Sequence, residues 1–145
     1  INYMCDMFQV PIKNREREIC KYANIFKISE SLGDLIASYS HGMKQKLALI
    51  GAFVHHPKLL VLDEPFVGLD PEASFNLKKL MRELCDEGSA IFFSTHVLEV
   101  VEKLCDTVSI IKAGNLVMSG TTEKIRGSNS LEEIFMEVVE DDKKI

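Results

Sequence analysis

The chain has 145 residues, 46% hydrophobic and 27% charged, and 17 Lys and Arg against 22 Asp and Glu leave a net charge of −5. That length suits one domain, burying roughly 68–70% of the unfolded chain's surface, and the composition excludes a disordered chain. The acidic balance advertises no basic face for nucleic acid or an anionic bilayer, and no run of about 18 apolar residues exists to span a membrane.

Residues 1–10 have the pattern of an amphipathic helix end, broken at Pro11. Residues 15–26 predict a second helix, with Ile19, Tyr22, Ala23 and Phe26 on one face. After a mixed stretch with a turn at Gly33, Ser40 is placed to cap a long helix reaching about His56 and closed by Pro57. Its apolar face holds Leu47, Ile50 and Val54. The run Leu59-Leu60-Val61-Leu62, ending in Asp63-Glu64-Pro65, has the continuous apolar character of a parallel strand buried on both faces. Asp70-Pro71 supplies an N-cap and a first-turn proline for the next helix. Leu77, Leu80, Met81 and Leu84 are its buried stripe, and Gly88 stops it. Ala90–Ser94 predicts a second buried strand and residues 97–104 a further helix. Thr107–Lys112 and residues 116–119 predict a hairpin around Ala113-Gly114-Asn115. Ser130 and Glu133 form a capping box for a last helix, followed by a charged tail, 140–145, expected to fray. The four cysteines form no CxxC pair and match no zinc spacing, so free thiols in a reducing compartment are expected.

Two such strands joined by one helix should be parallel, which brings Asp63, Glu64 and His96 to one carboxyl edge, where open α/β sheets bind ligands. Adjacent carboxylates there suit metal-assisted hydrolysis: one holds Mg²⁺ through water, the other orients or deprotonates a water. An imidazole on the neighbouring strand can hydrogen-bond a phosphoryl group. Ser40-His41-Gly42, opening a helix, offers free N–H groups to an anion. Each piece alone has a plainer reading, a strand end or a capped helix; their order and spacing favour the chemical one.

Together these segments resemble the nucleotide-binding subunit of an ABC transporter. Tyr39-Ser40-His41-Gly42-Met43-Lys44-Gln45-Lys46 resembles the signature motif, and Leu59-Leu60-Val61-Leu62-Asp63-Glu64 with Pro65 resembles Walker B. Gly68-Leu69-Asp70-Pro71 resembles the D-loop, and Ser94-Thr95-His96 the switch-histidine loop. The resemblance implies an α/β fold: a partial P-loop NTPase core with parallel strands flanked by helices, plus a helical subdomain and a C-terminal β-hairpin and helix. It implies a helical signature subdomain over 1–57, the partial core over 58–127, and a helix and tail over 128–145. It further implies ATP and Mg²⁺ as cofactors, with Asp63 toward the metal, Glu64 as general base and His96 on the γ-phosphate. Ser40, His41, Gly42 and Met43 would meet the nucleotide of an opposite subunit, and Asp70 would couple the two sites. His41 and Met43 depart from the usual Gly and Gln.

No G-x-x-x-x-G-K-[ST] occurs. The expectation is therefore the C-terminal part of an exporter-type ATP-binding subunit, itself inactive. It would act in a longer parent at the cytoplasmic face of the membrane, with a transmembrane permease subunit, a second ATP-binding subunit and no nucleic acid. An exposed strand edge is expected to drive self-association, through Ala90–Ser94 or Thr107–Ser119. The alternatives are a non-transport ABC ATPase acting on ribosomes or DNA, and a non-catalytic interaction module.

Overall fold

In the computed structural model, which describes residues 1–140, seven α-helices and four strands alternate in an α/β order. The expected fraying of the tail concerns residues outside this range, apart from Glu140. The chain divides into two compact units, Ile1–Ser94 and Thr95–Ile145.

In the first unit, α1 spans Asn2–Met7 and α2 spans Ile12–Ile25. Helix α2 starts three residues before the expected 15, because Pro11 serves as its N-cap and leaves no backbone N–H to satisfy. Tyr22, Ala23 and Phe26 are buried as expected. Two short 3₁₀ turns, Ser29–Ser31 and Ile36–Ser38, lead to α3, His41–Phe53. Ser40 caps α3, its hydroxyl accepting from Met43 N at 3.2 Å. Helix α2 packs on α3. Ile50 and Val54 are buried, but the helix ends at Phe53, short of His56.

Strand β1, Leu59–Asp63, pairs in parallel with β2, Ala90–Ser94, through α4, Pro71–Asp86. Asp70 caps α4, accepting from Ala73 N at 2.8 Å, with Pro71 in the first turn. Leu77, Leu80, Met81 and Leu84 are all buried, and α4 packs against β2. The expectation that both strands are buried on both faces is corrected. Leu60 is 6% exposed, whereas Leu59, Val61 and Phe92 are 62%, 65% and 63% exposed. Successive side chains point to opposite sides of a strand, and in this chain one side is covered and the other is bare.

In the second unit, α5 (Leu98–Leu104) precedes β3 (Thr107–Lys112) and β4 (Asn115–Thr121). The antiparallel turn has Ala113 and Gly114 at φ 48° and 79°, the left-handed pair that a two-residue hairpin of type I′ requires. Helix α6 (Thr122–Arg126), capped by the Thr121 hydroxyl, has no counterpart in the sequence reading. Helix α7 (Leu131–Glu140) opens with the expected capping box: Ser130 Oγ accepts from Glu133 N at 3.2 Å and Glu133 accepts from Ser130 N at 3.0 Å. Val101, Ile110, Leu131 and Ile134 form this unit's core. Among the described residues the strands make two separate two-stranded sheets, no helix is long and apolar enough to cross a membrane, and the four cysteines are free.

Candidate functional site

The parallel register sets Asp63, the last residue of β1, beside Ser94, the last of β2. The Ser94 hydroxyl donates to Asp63 Oδ1. Its oxygen and its carbonyl both accept from the Glu64 backbone N–H, at 3.1 and 3.2 Å. One serine therefore pins both acidic residues at the strand end. Sequence reasoning quoted Ser94 in a motif but gave it no task. The signal was available in the register, since equal-length parallel strands ending at 63 and 94 must place these residues side by side.

Glu64 has φ +44°. A left-handed angle costs an ordinary residue roughly 1–2 kcal/mol and clusters where geometry serves a site. The bend leaves Glu64 half-buried at the mouth of the loop 65–70, and Pro65 behind it is fully buried. The loop turns tightly: Val67 N donates to Glu64 O at 3.1 Å, and Leu69 N to Phe66 O at 3.3 Å.

The first two turns of α3 lie against this loop. Gly42 and Gly68 approach so closely that a Cβ on Gly42 would stand 2.7 Å from the Gly68 carbonyl oxygen. A Cβ on Gly68, at φ +78°, would stand 2.7 Å from Cδ2 of His41. Gln45 Nε2 donates to the Pro65 carbonyl at 3.3 Å, and Lys46 Nζ meets Asp70 Oδ2 at 2.6 Å. The Lys46 hydrogen bond, with the Ala73 N–H, holds the Asp70 carboxyl below the usual carboxylate range.

The structure therefore gathers Asp63 and Glu64 at one strand end, and His41, Gly42 and Asp70 around the adjoining loop. Ser40 is engaged in capping, with Met43 as its partner. His96 is exposed two residues past β2, at the start of the second unit. Lys46 and Gly68 are functional candidates that sequence reasoning did not single out.

Among the described residues, no three His, Cys, Asp or Glu side chains cluster to hold a metal by themselves. The donors at the β1 end are hard oxygens: an exposed carboxylate already oriented by a hydroxyl, beside a second carboxylate. That set fits Mg²⁺, which keeps most of its water and needs one or two carboxylates plus substrate phosphates.

A family model described as an AAA domain, putative AbiEii toxin of a type IV toxin–antitoxin system, matches residues 26–102. The uncharacterized ABC transporter ATP-binding protein YthP of Bacillus subtilis is 36% identical over 107 residues, covering 74% of this chain and 45% of that protein. The Nod factor export ATP-binding protein I of Rhizobium leguminosarum bv. viciae is 34% identical over 113 residues, covering 78% of this chain and 36% of that protein. A solved structure of the ATP binding subunit of an ABC transporter superposes with a TM-score of 0.90 at 32% identity, covering 95% of this chain and 60% of that one. The chain thus spans less than two thirds of the length of each.

Proposed function

The chain belongs to the ATP-binding proteins of ABC transporters, a family of ATPases, and from that premise we propose that it carries the hydrolytic acidic pair of a longer ATP-binding subunit. The observation that carries this reading is the Asp63–Glu64 corner: two carboxylates at a parallel strand end, oriented by Ser94, with Glu64 held at φ +44°.

In this reading residues 1–57 are the helical signature subdomain, 58–127 part of the nucleotide-binding core, and 128–145 a terminal helix and tail. Asp63 would hold Mg²⁺ through water, and the ion would neutralise charge on the phosphates. Glu64 takes a proton from water as the water oxygen attacks the γ-phosphorus and the bond to the ADP oxygen breaks. His96 donates an imidazole N–H to a γ-phosphate oxygen. Ser40, Gly42 and the flanking His41 and Met43 present the N-terminus of α3 to nucleotide held by a second ATP-binding subunit, and Asp70 lies between the two sites. At the cytoplasmic face of the membrane a transmembrane permease subunit receives the work and moves a cargo across. The bare face of β1 and β2 supports one further partner, a second copy of this chain when it is alone.

Phosphate release from Mg-ATP tests the proposal. The 145-residue chain, which has no G-x-x-x-x-G-K-[ST], is expected to release none. A longer protein that includes the segment encoded upstream of Ile1 is expected to turn over, and Glu64→Gln there to lower kcat by about 10²–10⁴. Near-parental turnover of that variant would overturn the assignment of Glu64, and Glu64-dependent turnover by the 145-residue chain would overturn the expected inactivity.

A further inference from the structure

Two adjacent histidines follow α3, and they face different elements. His56 has φ +50°, and its N–H donates to the Phe53 carbonyl at 3.0 Å, closing the helix. Its ring meets α2: Nε2 lies 3.0 Å from Glu18 Oε2, while Arg17 Nη2 donates to Glu18 Oε1 at 2.9 Å. His55 faces α1 instead. Its ring packs edge to face on the Phe8 ring, with centroids 3.7 Å apart. One turn earlier, a Cβ on Gly51 would stand 3.5 Å from Met4 Cγ, and Cys5, Val10 and Val54 cluster in the core beside them. Positions 51, 54 and 55 share one side of the chain as α3 ends, so α1 is seated there through Met4, Cys5 and Phe8.

His55 Nδ1 is buried, and among the described residues no hydrogen-bond partner meets it. A neutral imidazole tolerates that position, because with its proton on Nε2 it leaves Nδ1 a bare acceptor. An imidazolium does not. It must carry an N–H there, inside apolar packing and with nothing to accept it. The carboxylates on the neighbouring elements already hold other partners: Asp6 of α1 is paired with Arg15 of α2, and Glu18 of α2 with Arg17 and His56. Burial first, then the positive charge of His56, hold the His55 imidazole below the usual histidine range.

We propose that His55 is a pH-sensitive latch for α1: neutral, it holds the helix on the end of α3 through the Phe8 ring, and protonated by solvent at Nδ1 it leaves that contact for water and releases α1. The inference is independent of the ATPase reading. Because His56 stays with Glu18, α2 and α3 remain together and the opening is confined to α1. The sign follows from linkage. Released His55 binds a proton more readily than seated His55, so opening becomes easier as pH falls below about 6.5, by at most about tenfold per pH unit. Above that pH both forms are neutral and opening is independent of pH.

Amide hydrogen exchange of the 145-residue chain at pH 7.5 and 5.5, corrected for the intrinsic effect of pH, tests the latch. The reporters are the amides of Cys5, Phe8 and Val10, which donate to the carbonyls of Ile1, Met4 and Cys5 at 3.0, 3.0 and 2.8 Å. Their protection is expected to fall between about threefold and about tenfold at pH 5.5, while residues 78–84 of α4 hold theirs. His55→Phe keeps a ring against Phe8 but cannot take a charge, so its protection should not change with pH. Phe8→Ala uncovers the imidazole, and the His55 ring titration, followed by nuclear magnetic resonance, should move up toward 6.5. If His55→Phe does not fold, that shift decides, together with the parent's ring titration and α1 amide shifts following one curve. The latch is overturned by α1 amides that lack protection at pH 7.5 or keep it unchanged at 5.5. It is equally overturned by the same fall in His55→Phe, by a fall shared with residues 78–84, or by a His55 ring in the parent that titrates at 6.5 or above.

Discussion

Gly68→Ala is the sharpest single probe of the packing between α3 and the loop. Two costs are separable. The first is conformational: an alanine at φ +78° sits in the left-handed region, at roughly 1–2 kcal/mol. The second is steric: the new Cβ would stand 2.7 Å from Cδ2 and 3.1 Å from Nε2 of His41. His41 is exposed, so its ring can turn away, at a cost of about 0.5–1.5 kcal/mol for an off-rotamer side chain. The sum is about 1.5–3.5 kcal/mol, or at about 2–4 °C per kcal/mol a fall of roughly 3–14 °C in Tm. A double-mutant cycle with His41→Ala splits the two. Once the ring is gone only the conformational part remains, so the coupling should be about 1 kcal/mol. Gly42→Ala is the control. Its Cβ would stand 2.7 Å from a backbone carbonyl that cannot rotate aside, and His41→Ala should give it no relief. Urea unfolding followed by far-ultraviolet circular dichroism measures all of these. A Gly68→Ala cost that is the same with and without His41, within about 0.3 kcal/mol, would refute the contact and the reasoning built on it.

Alkaline stability should follow Tyr22. Burial, then the charges of Glu18, Glu87 and Glu83, push its phenol from 10.0 up to about 12. The folded chain thus keeps a proton that the unfolded chain has lost, and stability falls between pH 10 and 12, by about 2–3 kcal/mol in total. Tyr22→Phe should flatten that decline in denaturant titrations at pH 9, 10 and 11, and an unchanged slope would count against it. The bare face of Leu59, Val61 and Phe92 should make the 145-residue chain a dimer or larger by sedimentation equilibrium. Replacing Val61 and Phe92 by Lys should return it to a monomer, and a parent chain that stays monomeric at high micromolar concentration would contradict this.

What was legible in the sequence is what depends on neighbours along the chain. Ser40, Asp70 and Ser130 were readable as caps because a capping hydroxyl or carboxylate needs only the N–H three residues on. The Asp63–Glu64 strand end was readable for a similar reason: an apolar run closed by acids and a proline has few other uses. The Ala113-Gly114 hairpin followed from turn chemistry alone. What was not legible depends on partners far along the chain. Ser94 owes its task to strand register across 31 positions, and Lys46 finds Asp70 across 24. His41 reads as a departure from a motif until Gly68 is set against it. One-sided burial of β1 and β2 also escaped, because an apolar run reports that both faces suit a dry environment, not that both have found one. Most of these misses fall where a side chain on one element meets another element far along the chain, and the Ser94 contact is the one that holds the acidic pair in position. The position of the acids is local chemistry that a sequence displays. Their orientation is a tertiary property, carried here by a serine on the neighbouring strand.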